Sequence, residues 1–328
     1  MSAPWVAIAV PGVVAWTVIA LLRRTPFARR ALDRPNERSL HTLPTPRLGG
    51  IGVMLAAIPI AMAGADGGLA AVLACAAALA LVSAADDLRS LPVGVRLAAH
   101  LAAAVFAAVE LGPSGAISVV VVLAIGWMTN LFNFMDGADG LAGGMAMIGF
   151  SAYAVAAHGA GQAALAMACA ALASAAAGFL VHNFPPARVF LGDAGSIPLG
   201  FLAGALGLAG YSRGAWPAWF PLLVFSPFIV DASVTLVRRM VRGERPWRAH
   251  RDHYYQRLVL AGWSARRLAI ASYLLMLAVS AAALAGREAG FMLQCGIISA
   301  GAAVYALLLV AIEVRLRPAG AAPPPRPR

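Results

Sequence analysis

Long apolar runs dominate this chain. Residues 4–22, 48–65, 68–85, 94–111, 115–135, 140–158, 162–182, 196–211, 217–238, 266–286 and 289–314 each read as largely hydrophobic stretches with few charges. About 20 such residues are what a helix needs to cross the hydrocarbon core of a bilayer. A membrane β-barrel would instead alternate apolar and polar residues. With 61% hydrophobic and 12% charged residues, the chain falls far below the roughly 25% charge of a soluble domain. The pattern predicts an all-α, polytopic integral membrane protein of about eleven transmembrane helices, with ten as the alternative. Residues 1–316 form its one domain, and the Pro- and Arg-rich tail 317–328 is expected to be disordered. The first run lacks a charged leader and a small-residue cleavage site, so it reads as a retained span.

All 25 basic residues are arginine, and the formal net charge is +11. Such a balance raises nucleic acid as a partner, but its distribution argues against that. Seven arginines lie between Arg23 and Arg47, and nine between Arg238 and Arg267. With the amino terminus outside, segments 23–47, 86–93, 136–139, 183–195, 239–265 and 315–328 share the cytoplasmic side. Together with the flanking helix ends they hold every arginine except Arg213 and Arg287. The positive-inside rule produces this arrangement, so topology and anionic membrane lipids account for most of the charge. The remainder is available to a substrate phosphate. Cys75, Cys169 and Cys295 sit in apolar runs without metal-ligand spacing and read as small core residues.

The same side collects the chain's polar chemistry. Asp86-Asp87 closes an apolar run; neighbouring carboxylates there either raise one another's proton affinity or attract a divalent cation, unless they merely form a solvated helix end with Arg89. Asn130, Asn133, Asp136 and Asp139 recur every three residues, a spacing that makes successive members neighbours on a helix. Such oxygens suit magnesium, which takes one or two carboxylates plus phosphate oxygens and water. Phe190-Leu191-Gly192-Asp193-Ala194-Gly195-Ser196 is a turn opening onto an apolar helix, whose first amides favour phosphate. His250 and His253 lie among Arg245, Arg248 and Arg251; a third zinc ligand is not evident, and imidazoles with guanidiniums suit a pyrophosphate better. Asp231 is an acid within a span, either functional or paired inward. His100, His158 and His182 read as structural.

Taken in order, these motifs resemble the polyprenyl-phosphate N-acetylhexosamine-1-phosphate transferases, the family that includes MraY and WecA. The likeness begins with Asp33-Arg34-Pro35-Asn36-Glu37-Arg38-Ser39-Leu40-His41 and Pro44-Thr45-Pro46-Arg47-Leu48-Gly49-Gly50. It runs through Asp86-Asp87, Asn130–Leu141 and Phe190–Ser196 to the His250/His253 loop. The resemblance implies a bacterial inner-membrane enzyme with a cytoplasmic active site. Undecaprenyl phosphate would attack the β-phosphorus of a UDP-N-acetylhexosamine and release UMP, starting a surface glycan such as O-antigen. It implies magnesium, with manganese as a substitute, held by Asp193 and Asn133. Asp86 and Asp87 would be catalytic, either activating the lipid phosphate or positioning it or the metal. Asn130, Asp136, Asp139, Arg47, Arg248, His250, Arg251 and His253 would bind substrate. Partners are then the nucleotide sugar, the lipid phosphate and membrane lipids, with a homodimer as a compatible assembly and no nucleic acid.

Within that family the chain resembles the WecA/WbpL branch, which implies GlcNAc-1-phosphate or a 6-deoxy N-acetylhexosamine-1-phosphate as the group moved. No lysine precedes Gly49-Gly50, an eleventh run is present, and Tyr254-Tyr255 follow His253. MraY-type transfer of phospho-MurNAc-pentapeptide is the alternative within the family. A transporter or lipid flippase is the alternative of another class, and it predicts polar groups at the membrane midplane of repeated halves.

Overall fold

The computed structural model of the protein describes residues 4–35, 39–113, 115–245 and 250–316. Its helices are α1 (Pro4–Leu22), α2 (Phe27–Arg30), α3 (Gly49–Met62), α4 (Gly67–Arg89), α5 (Val93–Leu111), α6 (Ile117–Phe134) and α7 (Leu141–Gly159). They continue as α8 (Ala163–Asn183), α9 (Asp193–Ser212), α10 (Trp219–Val224), α11 (Ser226–Val241), α12 (Tyr254–Leu260), α13 (Ala265–Gly286) and α14 (Phe291–Leu316). Each apolar run read from the sequence is helical. Eight of these helices, α4 to α9, α13 and α14, are long and apolar enough to cross a membrane. The architecture is that of an all-α polytopic membrane protein. The tail 317–328 and Arg248 lie outside the described residues.

Two departures matter for the site. The run 217–238, expected as one span, is broken at Phe225 into α10 and α11. Pro227, at the start of α11, has no N–H to continue the upstream helix, and the Ser226 hydroxyl donates to Leu223 O at 2.6 Å across the break. The fold is also not wholly helical. Leu32–Asp33 (β1) and Thr45–Pro46 (β2) pair antiparallel in the register Leu32 with Pro46 and Asp33 with Thr45.

α9 is the centre of the bundle and almost every residue in it is buried. It packs chiefly against α4 and α6, and more lightly on α3, α5 and α7. Small residues permit this: Gly200 lies against Met128 and Phe132 of α6, and Gly204 against Ile125. In a bilayer, where lipid is as apolar as leucine, close approach through small residues is a main source of helix association.

Gly50 marks the tightest crossing. Its backbone N donates to Leu191 O at 2.8 Å, while Gly49 N donates to Phe190 O at 2.9 Å and Phe190 N to Pro46 O at 2.9 Å. This ladder lays the start of α3 on the start of α9, and a Cβ on Gly50 would fall on the backbone of Gly195. Gly50→Ala should therefore destabilise the fold by about 1–3 kcal/mol, the usual cost of overpacking. Gly94→Ala, where a Cβ meets nothing within 4 Å, should be neutral. Thermal unfolding of both variants in detergent checks this, and equal midpoints would refute it.

Candidate active site

One end of the bundle opens into a cleft of about 720 Å³. The end of α4, start of α5, end of α6, start of α9, α11 and the segment before α12 all reach it. Asp33, His41, Arg47, Asp86, Arg96, His100, Asn130, Asn133, Asp136, Asp139, Asp193, His250 and His253 are among its lining residues. Motifs up to 220 residues apart in sequence thus meet in one place.

Asp87 sits just behind the lining, with its side chain 4% exposed. Its carboxylate accepts from the backbone N of Asp193 at 3.3 Å and of Ala194 at 3.0 Å. Those amides open α9 and have no partner within the helix. Arg47 approaches Asp87 at 3.6 Å and also pairs with Asp33, joining the β1–β2 ladder to the end of α4. Asp86 faces the cleft. It accepts from Leu91 N at 2.6 Å and from Arg96 Nη1 at 3.0 Å, and Arg96 reaches Asp193 at 3.7 Å.

Asn133 Nδ2 donates to Asp193 Oδ1 at 2.8 Å and to Ser196 Oγ at 3.2 Å. The side chain offered as a metal-facing oxygen thus holds Asp193 through its nitrogen. The expected four-member helical ladder is shorter than its spacing suggested: α6 ends at Phe134, so only Asn130 and Asn133 are helical. Asp136 and Asp139 lie in the following loop. There Asp139 accepts from Ala187 N at 2.9 Å, and Gly140, at a φ of +77° that favours glycine, donates to Asn183 Oδ1 at 2.8 Å. Asp139 therefore fastens two loops together at the cleft wall.

The histidine segment is held by Asp231. One carboxylate oxygen accepts from Tyr254 N at 2.9 Å and lies 3.2 Å from His253 Nδ1; the other accepts from Tyr255 N at 3.0 Å. A carboxylate on Nδ1 leaves Nε2 as the nitrogen for a ligand. His250 lies alongside, with ring centres 5.0 Å apart. Burial, His253 and Arg239 push its pKa down to about 4, so its ring is neutral at pH 7. Arg251 is exposed and does not line the cleft. Among the described residues, the guanidiniums that do are Arg47 and Arg96.

Arg96 was absorbed by the topological reading of arginines, although its position one turn into α5, ten residues after Asp86, was a signal. His100, read as structural, also lines the cleft on α5 beside Asn130. Asn183 carried no sequence signal beyond its place at a helix end.

The donor set is of a kind that fits magnesium. Among the described residues no three His, Cys, Asp or Glu side chains are grouped to hold a metal by themselves. Magnesium rarely asks for that, binding through one or two carboxylates with phosphate oxygens and water completing the shell. Asp136 carries the supporting observation. Burial first, then the charges of Asp193 and Asp87, raise its pKa well above the ordinary carboxylate value, against opposing pulls from Arg47 and Gly192 N–H. Among the described residues this acid has no ion pair, and a divalent cation would supply the missing charge.

A raised carboxyl pKa means that the folded state holds the proton more tightly than the unfolded chain. The contribution to stability is full below the unfolded pKa and is lost as pH rises through the folded value. Asp136→Asn should therefore raise the thermal midpoint at neutral pH by a few degrees without divalent ions, and the gain should vanish near pH 4. Unfolding scans at both pH values test this; an unchanged or lower midpoint at neutral pH would mean the charge is already balanced.

Comparison with known proteins places this geometry. Residues 69–211, from α4 to the end of α9, match the model of glycosyl transferase family 4. The chain is 26% identical over 309 residues to a probable undecaprenyl-phosphate N-acetylglucosaminyl 1-phosphate transferase of Bacillus subtilis, covering 86% of each chain. It is 30% identical over 294 residues to the decaprenyl-phosphate N-acetylglucosaminephosphotransferase of Mycolicibacterium smegmatis, covering 74% of this chain and 72% of the relative. A phospho-N-acetylmuramoyl-pentapeptide-transferase of Listeria welshimeri is 30% identical over 157 residues, 46% of each chain. The matched segment carries Asp86, Asp87, Asn133, Asp136 and Asp193, and the longer alignments run well beyond it: the chain belongs to glycosyl transferase family 4.

Proposed function

We propose that this protein transfers an N-acetylhexosamine-1-phosphate from a UDP-sugar to undecaprenyl phosphate at the cytoplasmic face of the bacterial inner membrane. UMP is the leaving product, and the lipid-pyrophosphate sugar primes a surface glycan. The topology that goes with this reading has eleven crossings, with α10 and α11 sharing one, and an external amino terminus. It puts every cleft motif on the arginine-rich side.

One observation carries the proposal. The cleft joins a floor of acids, arginines and histidines to an apolar flank on α5, where Val93 and Leu97 both line the cleft and are 60% and 51% exposed. A water-soluble phosphate donor needs the first surface and a polyprenyl tail the second. A transporter would set its polar groups near mid-membrane; here they crowd helix ends.

The reaction replaces one phosphoanhydride with another. An oxygen of the lipid phosphate bonds to the β-phosphorus of the donor, and the bond from that phosphorus to UMP breaks. The acceptor needs little help from a base, because a phosphate monoester with a second pKa near 6 is mostly dianionic at pH 7. Both oxygens of Asp87 are engaged by backbone amides, which suits positioning rather than proton abstraction. Arg96, on the same helix as the apolar flank, is placed to hold the lipid phosphate, and Asp86 orients it. His253 and His250 face the donor pyrophosphate, and Asn130 the nucleotide. Asp193, with Asp136 or the Asn133 carbonyl oxygen, would hold magnesium or manganese. That ion, when bound, offsets the charge developing on the leaving phosphate.

The proposed donor is an N-acetylglucosamine nucleotide, in keeping with the names of relatives matched over most of their length, or a 6-deoxy N-acetylhexosamine nucleotide. UDP-MurNAc-pentapeptide is the second reading, favoured by the shorter Listeria match. Purified protein with undecaprenyl phosphate and magnesium should release UMP from one of these donors, and chelation or omission of lipid should stop it. Asp193→Asn should lower kcat by about 10²–10³-fold, the scale of losing a preorganised electrostatic group, with the protein still folded. Folded wild-type protein that turned over no donor, or an Asp193→Asn variant of near-normal rate, would overturn this assignment.

A further inference from the structure

α14 stands apart from the bundle. None of its 26 residues is buried, although it is the longest helix. It packs against α13 and, lightly, α12. Apolar packing therefore does little to fix its register, and three polar side chains do the rest. Gln294 Oε1 accepts from Trp219 Nε1 of α10 at 3.0 Å. The Tyr305 hydroxyl lies 2.6 Å from Ser226 Oγ, at the break between α10 and α11. Glu313 accepts from Arg257 of α12 at 2.6 and 3.0 Å, and it also pairs with Arg238 of α11. At about 100° per residue, positions 294 and 305 lie about 20° apart and 313 about 80° further round. One face of α14 thus follows α10, α11 and α12 in succession.

The last tie is the one nearest the chemistry. Arg238 Nη1 also donates to the Tyr254 hydroxyl at 2.7 Å. The guanidiniums of Arg238 and Arg257 each lie 5.2 Å from the centre of the Tyr254 ring. Tyr254 immediately follows His253, and its backbone N–H is one of those bound by Asp231. The segment bearing His253 is consequently gripped from the bundle by Asp231 and from the outermost helix by Glu313. Polar contacts between membrane helices are specific where general apolar packing is not.

We propose that α14 is a strap holding the α11–α12 arm in register, and that Glu313 is a positioning residue that sets His253 against the donor. This rests on the transferase reading, in which that arm meets the donor pyrophosphate. Breaking the strap should loosen the arm while leaving the acceptor side, built on α4, α5 and α9, as it was.

The test uses the full chain in nanodiscs, with wild type and variants side by side. Glu313→Gln should raise KM for the UDP-sugar by about tenfold, equivalent to about 1.4 kcal/mol, with kcat within about twofold and KM for undecaprenyl phosphate unchanged. Glu313→Asp should recover part of the loss. Tyr305→Phe, which cuts the strap without touching the Arg238–Arg257 cluster, should shift donor KM in the same direction by less. Amide exchange over residues 252–257 should speed up in Glu313→Gln, a readout that needs no turnover. Unchanged donor KM and exchange in Glu313→Gln would overturn the proposal. So would a uniform fall in kcat, both affinities and folded yield that Glu313→Asp shares. Wild type that releases no UMP would instead defeat the transferase reading, and faster exchange over 252–257 would then still establish the strap without a catalytic role.

Discussion

The carboxylate of Asp87 binds the first two amides of α9, and the rest of the site is arranged around that contact. Helix N-termini carry unsatisfied N–H groups and a partial positive charge. A nearly buried acid can therefore be satisfied there without a full counter-ion. The bond fixes the end of α4 against the start of α9. α9 cannot shift in response, because its length is buried and its glycines seat α6. Asp193, the first residue of that helix, inherits the fixed position, and Asn133 holds its side chain from α6. Leaving the two amides unpaired would cost about 1–3 kcal/mol each, and the cost would fall on the geometry of Asp193.

Asp231 solves the same problem on the opposite wall. It too accepts from two successive backbone amides, those of Tyr254 and Tyr255, at the start of a helix. In both cases an acid carried on one helix aims the start of another, and the group so aimed is a side chain of the cleft: Asp193 in one, His253 in the other. The carriers differ in kind. α9 runs through the core for 20 residues, whereas α12 has seven, so its orientation depends more on side-chain ties.

Much of this was legible beforehand because membrane insertion leaves the sequence few choices. A backbone in hydrocarbon must satisfy its own hydrogen bonds, so each apolar run had to be helical. The positive-inside pattern sorted the motifs onto one face before any contact was known. The finer assignments failed where a tertiary contact decided the outcome. The three-residue spacing of Asn130, Asn133, Asp136 and Asp139 suggested one helix face, but Asp136 and Asp139 follow the helix end and enter the cleft wall from a loop. In the sequence Arg96 is one more topological arginine, and only the fold sets it beside Asp86 and Asp193. Asp231 is ambiguous in the sequence because two of its partners are backbone amides 23 and 24 residues away, and backbone groups leave no trace in a side-chain pattern. Pro227, by contrast, was a visible breaker within the run 217–238.

Charge balance gives the strongest reason for the cleft to work with a cation. Asp86, Asp136 and Asp193 line it with Asp87 just behind, while among the described residues Arg47 and Arg96 are the arginines that face them. Arg96 is divided between Asp86 and Asp193, and Arg47 between Asp87 and Asp33. Asp136 has no ion pair of its own among the described residues. Like charges 4 Å apart repel by about 4 kcal/mol at an effective dielectric near 20. A pyrophosphate entering such a place would add negative charge to an excess already present. An apolar or uncharged ligand would gain nothing from so many acids. Under the proposed reading the arrangement would become favourable when an anionic ligand arrives with a divalent ion, because the acids and the phosphates would then share one cation. The surplus of carboxyl groups over arginines, which would be a defect in a purely structural helix bundle, is what such a shared ion requires.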